Sequence, residues 1–523
     1  MAWRSAFRAL AHGLPDTDEW QANSGERSRG AEWKSARTFC LLIAALFFLK
    51  FAAFALFITP LWDTPDESGH YSFVEDLSHG HYPVLGDARM SRDVVDSWIK
   101  PGAHQGYNWI AQHPPLFYAL DAPIVMATRA LGASFDTQVR CARLLSSFFA
   151  ALTLLGLYAL LAEATERPLL GMAGAIFIGS TPMFTQLGSG VTHDTLIACT
   201  AAWGAYWYLR WVRSGEFPYA LLCAFIIGLG CITKVTMLAL AVPMFFVMAF
   251  RFIRTRGPLP TSSMVRQLGT LWLVMFALVA TWMVYNLIHF HKPLPDASLL
   301  HGYPSRPNTE GFFNYMWRFP IWQNVLLNFV ALIGWTGTLH GTIALAQADG
   351  LAARLFVGAI LFSSLAAILG RLCETRRDFL MWAPLTTAVV ITVTTCSILP
   401  KHDFASLTCV ILFIAILWAP VSSILWPRKD ATATWMLLTS SIFVLFFSVL
   451  YYCEVWEVYR HLSMVKALHG RYFYVVMPFL ALLLLWPLRR GWLPKAALCL
   501  AVAAMVAADG FFLHYAYKLY GVL

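Results

Sequence analysis

At 523 residues with 58% hydrophobic and only 13% charged side chains, the chain is neither a soluble globular protein nor a disordered one. The net charge of +9 does not point to nucleic acid, because the Lys and Arg residues sit in short segments between apolar runs, where they set orientation in a membrane. The ten cysteines are scattered, several of them inside apolar runs (Cys199, Cys223, Cys231, Cys499), and none forms a C-x-x-C pair, so neither a disulfide framework nor a zinc knuckle is indicated.

Continuous apolar runs of about 15 to 23 residues predict an all-α polytopic membrane protein, not a barrel of short alternating strands. The segment 1–37 carries Arg4, Arg8, Arg27, Arg29, Lys34 and Arg37, and the positive-inside rule places it in the cytoplasm. The first span, 38–60, runs into an Asp-rich loop without a small-x-small processing site and is expected to be retained. The loop 61–140 is then extracytoplasmic and long enough for one or two interfacial helices. Within it, "TPDE" reads as a helix start, with Thr64 as N-cap, Pro65 at the first helical position and Glu67 closing a capping box. Tyr71, Val74, Leu77 and Ser78 share a face of that helix, which is expected to rest in lipid. Pro114 and Pro115 hold His113 out of the helical region, and the next helix begins there.

Further spans are expected near 142–162, 168–188, 195–209, 218–232, 236–250 and 268–289, then near 353–370, 380–399, 405–425, 433–452, 472–488 and 495–515. The apolar segment 322–347, broken by "GWTGTLHG", reads as a re-entrant hairpin, because a single crossing would put "RLCETRR" outside. The total is about thirteen transmembrane helices, with a transmembrane catalytic domain over 38–515 and an extracytoplasmic tail at 516–523. There is no P-loop and no GxGxxG after a strand.

The unusual polar residues then collect on the outer side. Asp66 and Glu67, at the mouth of the first span beside Asp63 and His70, suit a general base or a divalent-metal site; a helix cap is the local alternative. Asp194 follows a Gly-rich turn, where capping the next helix is an equal reading. His113 and His193 are candidate ligands or hydrogen-bond donors, and the loop's five histidines (His70, His79, His81, His104, His113) lack tight zinc spacing. Lys234 sits between two apolar segments with almost no loop, where a cation is costly unless it snorkels or meets an anion. Arg143 and Arg471 have the same character, and such cations suit a lipid phosphate. Nearby aromatics, Tyr118 and Tyr472 among them, are read as interfacial-belt residues or a sugar-stacking surface, the belt for most of them.

In chain order these features are an acidic "PDE" followed by a tyrosine, "HPPL", an arginine opening the second span, a Gly-Ser turn with an acidic residue before the fourth, "TK" in a tight hairpin, and a late "HGRYFYVVMP". That order resembles the GT-C superfamily of integral-membrane glycosyltransferases, which includes protein O-mannosyltransferases and the aminoarabinose transferase of lipid A. It is most similar to the bacterial branch known as the domain-of-unknown-function 2142 family. The resemblance implies a catalytic carboxylate at Asp66 or Glu67, a second acidic position at Asp194, and phosphate-binding cations at Lys234, Arg143 and Arg471. It also implies substrate contacts at His113, Tyr71 and His193, and a metal (Mg, Mn or Zn), if one is used, on Asp66, Glu67 and Asp194.

The activity so implied is inverting transfer of a sugar from a polyprenyl-phosphate donor to a glycan or lipid-linked acceptor on the outer face of a bacterial inner membrane. Two adjacent carboxylates in one turn cannot easily face each other across a sugar, which favours a single base. The rival readings are a flippase or transporter of a lipid-linked sugar and a lipid-linked glycan polymerase or ligase. The nearly uncharged interiors of the central spans weigh against transport.

Overall fold

The computed structural model describes residues 26–97, 106–255, 261–294, 307–318, 329, 431–463, 469–486 and 492–519. Fourteen helices among them organise the chain: α1 (Glu26–Ala53), α2 (Glu67–Ser78), α3 (Leu116–Ala130), α4 (Phe135–Thr165), α5 (Pro168–Gly179), α6 (Pro182–Gly188), α7 (Asp194–Ser214), α8 (Phe217–Cys231), α9 (Leu238–Thr255), α10 (Thr261–Phe290), α11 (Phe312–Arg318), α12 (Ala431–Leu462), α13 (Met477–Leu485) and α14 (Trp492–Leu519). A single further turn of helix lies at Arg92–Asp96. Among the described residues, five segments are long and apolar enough to cross a membrane, namely Ser35–Ile58, Phe135–Thr165, Val235–Arg254, Ser262–Phe290 and Trp435–Leu462, and α5 with α6 makes a sixth if counted as one span. The chain is an all-α polytopic membrane protein. The expected spans near 353–370, 380–399 and 405–425, and the hairpin at 322–347 apart from Phe329, lie outside the described residues.

Two expectations change. The run 168–188 is not a straight span: α5 and α6 meet at 72°. Pro182 opens α6 and Thr181 before it is extended, the conformation that proline favours in the residue preceding it. Nor does α2 lay an apolar face in lipid. Tyr71, Phe73 and Val74 are fully buried in an apolar cluster with Phe117, Tyr118 and Val125 of α3 and Val139 of α4. The segment 61–140 supplies its own cover, so the stripe faces protein.

Helix α4 is central and packs on α1, α3, α5 and α7. Close approach needs small residues: a Cβ on Gly171 of α5 would stand 2.7 Å from the Tyr158 carbonyl of α4. The first and last described helices are joined inside the apolar zone. Lys50 Nζ of α1 donates to Asp509 Oδ2 of α14 at 2.5 Å and to the Gly179 carbonyl at 3.1 Å. Removing one charge strands the other in an apolar setting. Lys50→Met is therefore expected to lower stability by about 3 kcal/mol, and Lys50→Met/Asp509→Leu to recover most of it. Thermal unfolding in lipid checks this; a double variant as unstable as the sum of the singles would deny the pairing.

Candidate functional site

The site starts where the first span ends. After α1 the backbone widens into a π-helical turn at Phe54–Ile58, and Thr59 is extended. This leaves carbonyls of the span's last turn without helical partners, and Arg143 of α4 takes them. Its Nη1 donates to Ala55 O (3.1 Å) and Thr59 O (2.7 Å), and its Nη2 to Pro60 O (2.7 Å). The same guanidinium grips both oxygens of Glu67, Nε to Oε1 at 2.7 Å and Nη2 to Oε2 at 2.9 Å. Glu67 accepts two more bonds, from the backbone N–H of Trp62 (2.9 Å) and of Val191 (3.0 Å). Both side chains are fully buried.

This corrects the expected capping box. The N-cap of α2 is Asp66, in the left-handed region at φ 62° and without a side-chain cap bond. Thr64 turns instead toward α6, where its hydroxyl meets the Gln186 carbonyl at 3.4 Å. A full guanidinium charge outweighs a local amide as a partner for Glu67. Arg143 and Glu67 thus pin together the end of the first span, the start of α2, α4 and the 189–193 loop.

That loop is clamped to α4 through Ser146 and Ser147, which bond the Thr192 and Gly188 carbonyls at 3.2 and 2.7 Å. It also runs tight against the segment after the first span: a Cβ on Gly190 would lie 2.1 Å from Thr64 Oγ1. Gly190→Ala is expected to cost about 1–3 kcal/mol by overpacking and to displace Asp194. Unfolding midpoints with and without a compensating Thr64→Gly would check it, the pair recovering part of the loss.

Above the pin lies a chain of alternating charges drawn from four distant segments. Arg471 Nη2 donates to Asp66 Oδ2, and its Nη1 to the Pro65 carbonyl at 3.1 Å. Arg471 Nε stands 3.6 Å from Asp194 Oδ2. Lys234 Nζ closes the series on Asp194 Oδ1 at 2.6 Å. Tyr472 lies beneath both cations, its ring 4.5 Å from Lys234 Nζ and 5.5 Å from Arg471 Cζ. Lys234, Arg471 and Asp194 are sealed at 4, 3 and 2% exposure, whereas Asp66 keeps 21% and is the open end of the chain. Burial alone would raise the Asp66 carboxyl, but Arg471 more than reverses this and holds it below the usual carboxylate range.

Beside the charges stands a hydrogen-bonded aromatic group. Tyr118 Oη of α3 lies 2.9 Å from His70 Nδ1 and 2.7 Å from His193 Nδ1. His193 Nε2 faces Asp194 Oδ1 at 3.4 Å. His70 and His113 each meet the His193 ring edge to face, with centroids 4.5 Å apart. Burial drives these imidazoles toward the neutral form: it pushes His70 down to about 3 against the pull of Asp66 and Asp194, and, with Lys234 adding to it, holds His113 and His193 well below their ordinary value.

The structure therefore brings together Asp66, Asp194, Lys234, Arg471, His113 and His193, and sets Glu67 with Arg143 as a separate bonded pair. Tyr71 packs on Trp62 and Phe135 in the apolar cluster. Each of the three carboxylates expected as metal ligands is taken by a cation of the chain itself, and among the described residues no group of three or more His, Cys, Asp or Glu is placed to hold a metal ion. Sequence reading missed the role of Tyr118. Its signal was position: a polar aromatic in the first turn of a helix that opens three residues after His113.

A family model described as dolichyl-phosphate-mannose-protein mannosyltransferase matches residues 113–282, an interval that holds His113, Arg143, His193, Asp194 and Lys234. No curated protein matches the chain. Among solved structures, the chain is similar to the S. cerevisiae protein O-mannosyltransferase Pmt1-Pmt2 complex bound to the sugar donor, at 15% identity over 55% of this chain and 36% of that one, TM-score 0.35. ArnT from Cupriavidus metallidurans bound to undecaprenyl phosphate is similar at 13% identity over 92% and 77%, TM-score 0.36. The Archaeoglobus fulgidus oligosaccharyltransferase tethered with an acceptor peptide is similar at 15% identity over 90% and 55%, TM-score 0.36. The chain thus spans little more than a third of the yeast mannosyltransferase chain.

Proposed function

We propose that the chain is a polyprenyl-phosphate-sugar-dependent glycosyltransferase of the GT-C type, of the bacterial branch its motifs resemble, working on the extracytoplasmic face of the inner membrane. The observation that carries this reading is the chain Asp66, Arg471, Asp194, Lys234, buried at one end and open at Asp66. The family model over 113–282 supports it, since its description names a lipid-phosphate sugar donor.

On this reading the donor phosphate enters at the Asp66 end of the chain and draws on Arg471, with Lys234 adding positive charge behind it, and the buried setting strengthens both interactions. Neutralising the phosphate makes it a better leaving group. Asp66 takes the proton of the acceptor hydroxyl as that oxygen attacks the anomeric carbon, giving inversion in one displacement. Asp194 is sealed and held by Lys234, so it orients the cations and leaves no second free carboxylate for a covalent intermediate. A guanidinium-bound carboxylate is a weak base, and donor binding resolves the difficulty. As the phosphate draws on Arg471, the Asp66 carboxyl rises toward its ordinary value and gains basicity when it is needed. The chain's own cations supply the charge that a divalent metal would otherwise bring.

The test is transfer of labelled sugar from a panel of polyprenyl-phosphate donors to an envelope fraction by purified protein in lipid, with and without EDTA. Transfer that survives EDTA is expected. Donor that binds and crosses proteoliposomes but is never consumed would turn the assignment to a flippase.

A further inference from the structure

Asp121 is a buried carboxyl that the chemistry of the site leaves unused. It lies on the buried face of α3 with Phe117, Tyr118, Ala122 and Val125, the face that packs against Tyr71, Phe73 and Val74 of α2 and Val139 of α4. It is sealed at 0% exposure, and among the described residues neither of its oxygens has a hydrogen-bond partner. The Tyr71 hydroxyl is buried in the same cluster and likewise makes no hydrogen bond there. An ionised carboxylate can only accept, and among the described residues no donor is in place for it. A lone carboxylate in an apolar setting is far costlier than a neutral acid, so the closed packing of α2 on α3 selects the protonated form.

The charged and titratable groups of the elements around α3 are engaged elsewhere. On α2, Glu67 is bound to Arg143 of α4 and His70 to Tyr118, while Glu75, Asp76 and His79 lie at the far end. On α3 itself, Arg129 donates to Ser78 Oγ at 2.8 Å. On α4, Asp136 pairs with Arg140 at 2.6 Å. The loops against the start of α3 bring His193, bonded to Tyr118, and Lys234, bonded to Asp194. Glu75, Arg129 and Asp93 reach the Tyr71 hydroxyl electrostatically, as does Asp121. Burial by itself raises the Asp121 carboxyl well above the usual carboxylate range.

Helix α3 is also weakest beside this group. Pro123, two residues further on, has no N–H to offer the Ala119 carbonyl, so the helical ladder is interrupted at the turn that holds Asp121. Tyr118, which bridges His70 and His193, stands one turn before it on the same helix.

We propose that Asp121 is a pH-sensitive catch between α2 and α3: neutral, it lets α3 close, and ionised, it releases that turn of α3 and carries Tyr118 away from His70 and His193. The proton leaves to water as the turn opens and is taken up again as it closes. Once open, the carboxyl returns toward its ordinary value of about 3.9. The closed form binds the proton more tightly, so closure is most stable below that value and weakens as pH rises toward the raised value of the closed form. One proton changes the opening equilibrium by about tenfold per pH unit over that window.

Hydrogen–deuterium exchange of the full-length protein in lipid, read by mass spectrometry between about pH 5 and 8 and corrected for the intrinsic rate at each pH, tests this. It requires no sugar donor, so its result stands apart from the transferase reading. Amides of α3 and of the facing turns of α2 are expected to lose protection by up to about tenfold per pH unit. Asp121→Asn and Asp121→Leu, a polar and an apolar replacement that cannot ionise, are each expected to abolish that slope, and Tyr71→Phe to keep it. A slope absent from the unaltered protein, retained in either folded Asp121 variant, or removed by Tyr71→Phe overturns the proposal.

Discussion

Asp66→Asn is expected to leave the protein folded and its lipid donor bound, and to lower turnover by roughly 10²–10⁴-fold, the range a general base contributes. The substitution is mild for structure. Asp66 occupies a left-handed conformation at φ 62°, which Asn tolerates better than almost any other non-glycine residue, and the Asn carbonyl can still accept from Arg471. What is lost is the negative charge that takes the proton. The pH dependence separates this role from a purely electrostatic one. In the free enzyme Arg471 holds the Asp66 carboxyl below its ordinary value, so the acid limb of kcat/KM falls below the usual carboxylate range. With donor bound, Arg471 is shared with phosphate and the anion adds its own repulsion. The acid limb of kcat therefore moves to higher pH than that of kcat/KM. Coincident limbs, or an Asp66→Asn protein with full turnover, would remove Asp66 from the role of base.

The second large effect falls on stability. Glu67 and Arg143 are fully buried, doubly bonded to each other, and tied to five backbone groups between Ala55 and Val191. Arg143→Met leaves a carboxylate buried without its counter-charge and frees three carbonyls; Glu67→Gln leaves the guanidinium unmatched. Each is expected to destabilise the protein by about 3–5 kcal/mol, and the double variant by less than the sum. Unfolding in lipid, read alongside donor transfer, checks it. A Glu67→Gln protein of unchanged stability but without transfer would instead make Glu67 the base, so the two adjacent carboxylates, alike in sequence, part in these experiments.

Much of the architecture was legible in the chain. Long apolar runs must become helices in lipid, because backbone groups there find no other partners; the runs over 142–162, 236–250 and 268–289 fall within apolar helices of spanning length, and those over 38–60 and 433–452 overlap two more. The list of chemically interesting side chains was legible for a related reason: charge in an apolar setting is costly and persists only where something compensates it. Lys234, flanked by apolar segments on both sides, advertises itself in this way.

Pairing was not legible. Asp66 meets a partner 405 residues away, Lys234 one 40 residues before it, and no local pattern encodes which cation finds which carboxylate. Arg143, expected on the donor phosphate, is found holding Glu67 and the end of the first span. Tyr118 and Tyr71 look alike in sequence; the packing of α2 on α3 sends one hydroxyl between two imidazoles and the other ring into an apolar cluster.

By itself the sequence determined that this is a helical membrane protein with acids and cations gathered near the ends of its apolar runs, because hydrophobicity and the cost of buried charge act residue by residue. Only the tertiary structure decided that Glu67 is a brace and Asp66 the open end of a charge chain. The burial of one carboxylate and the exposure of the next depend on which distant helices close over them.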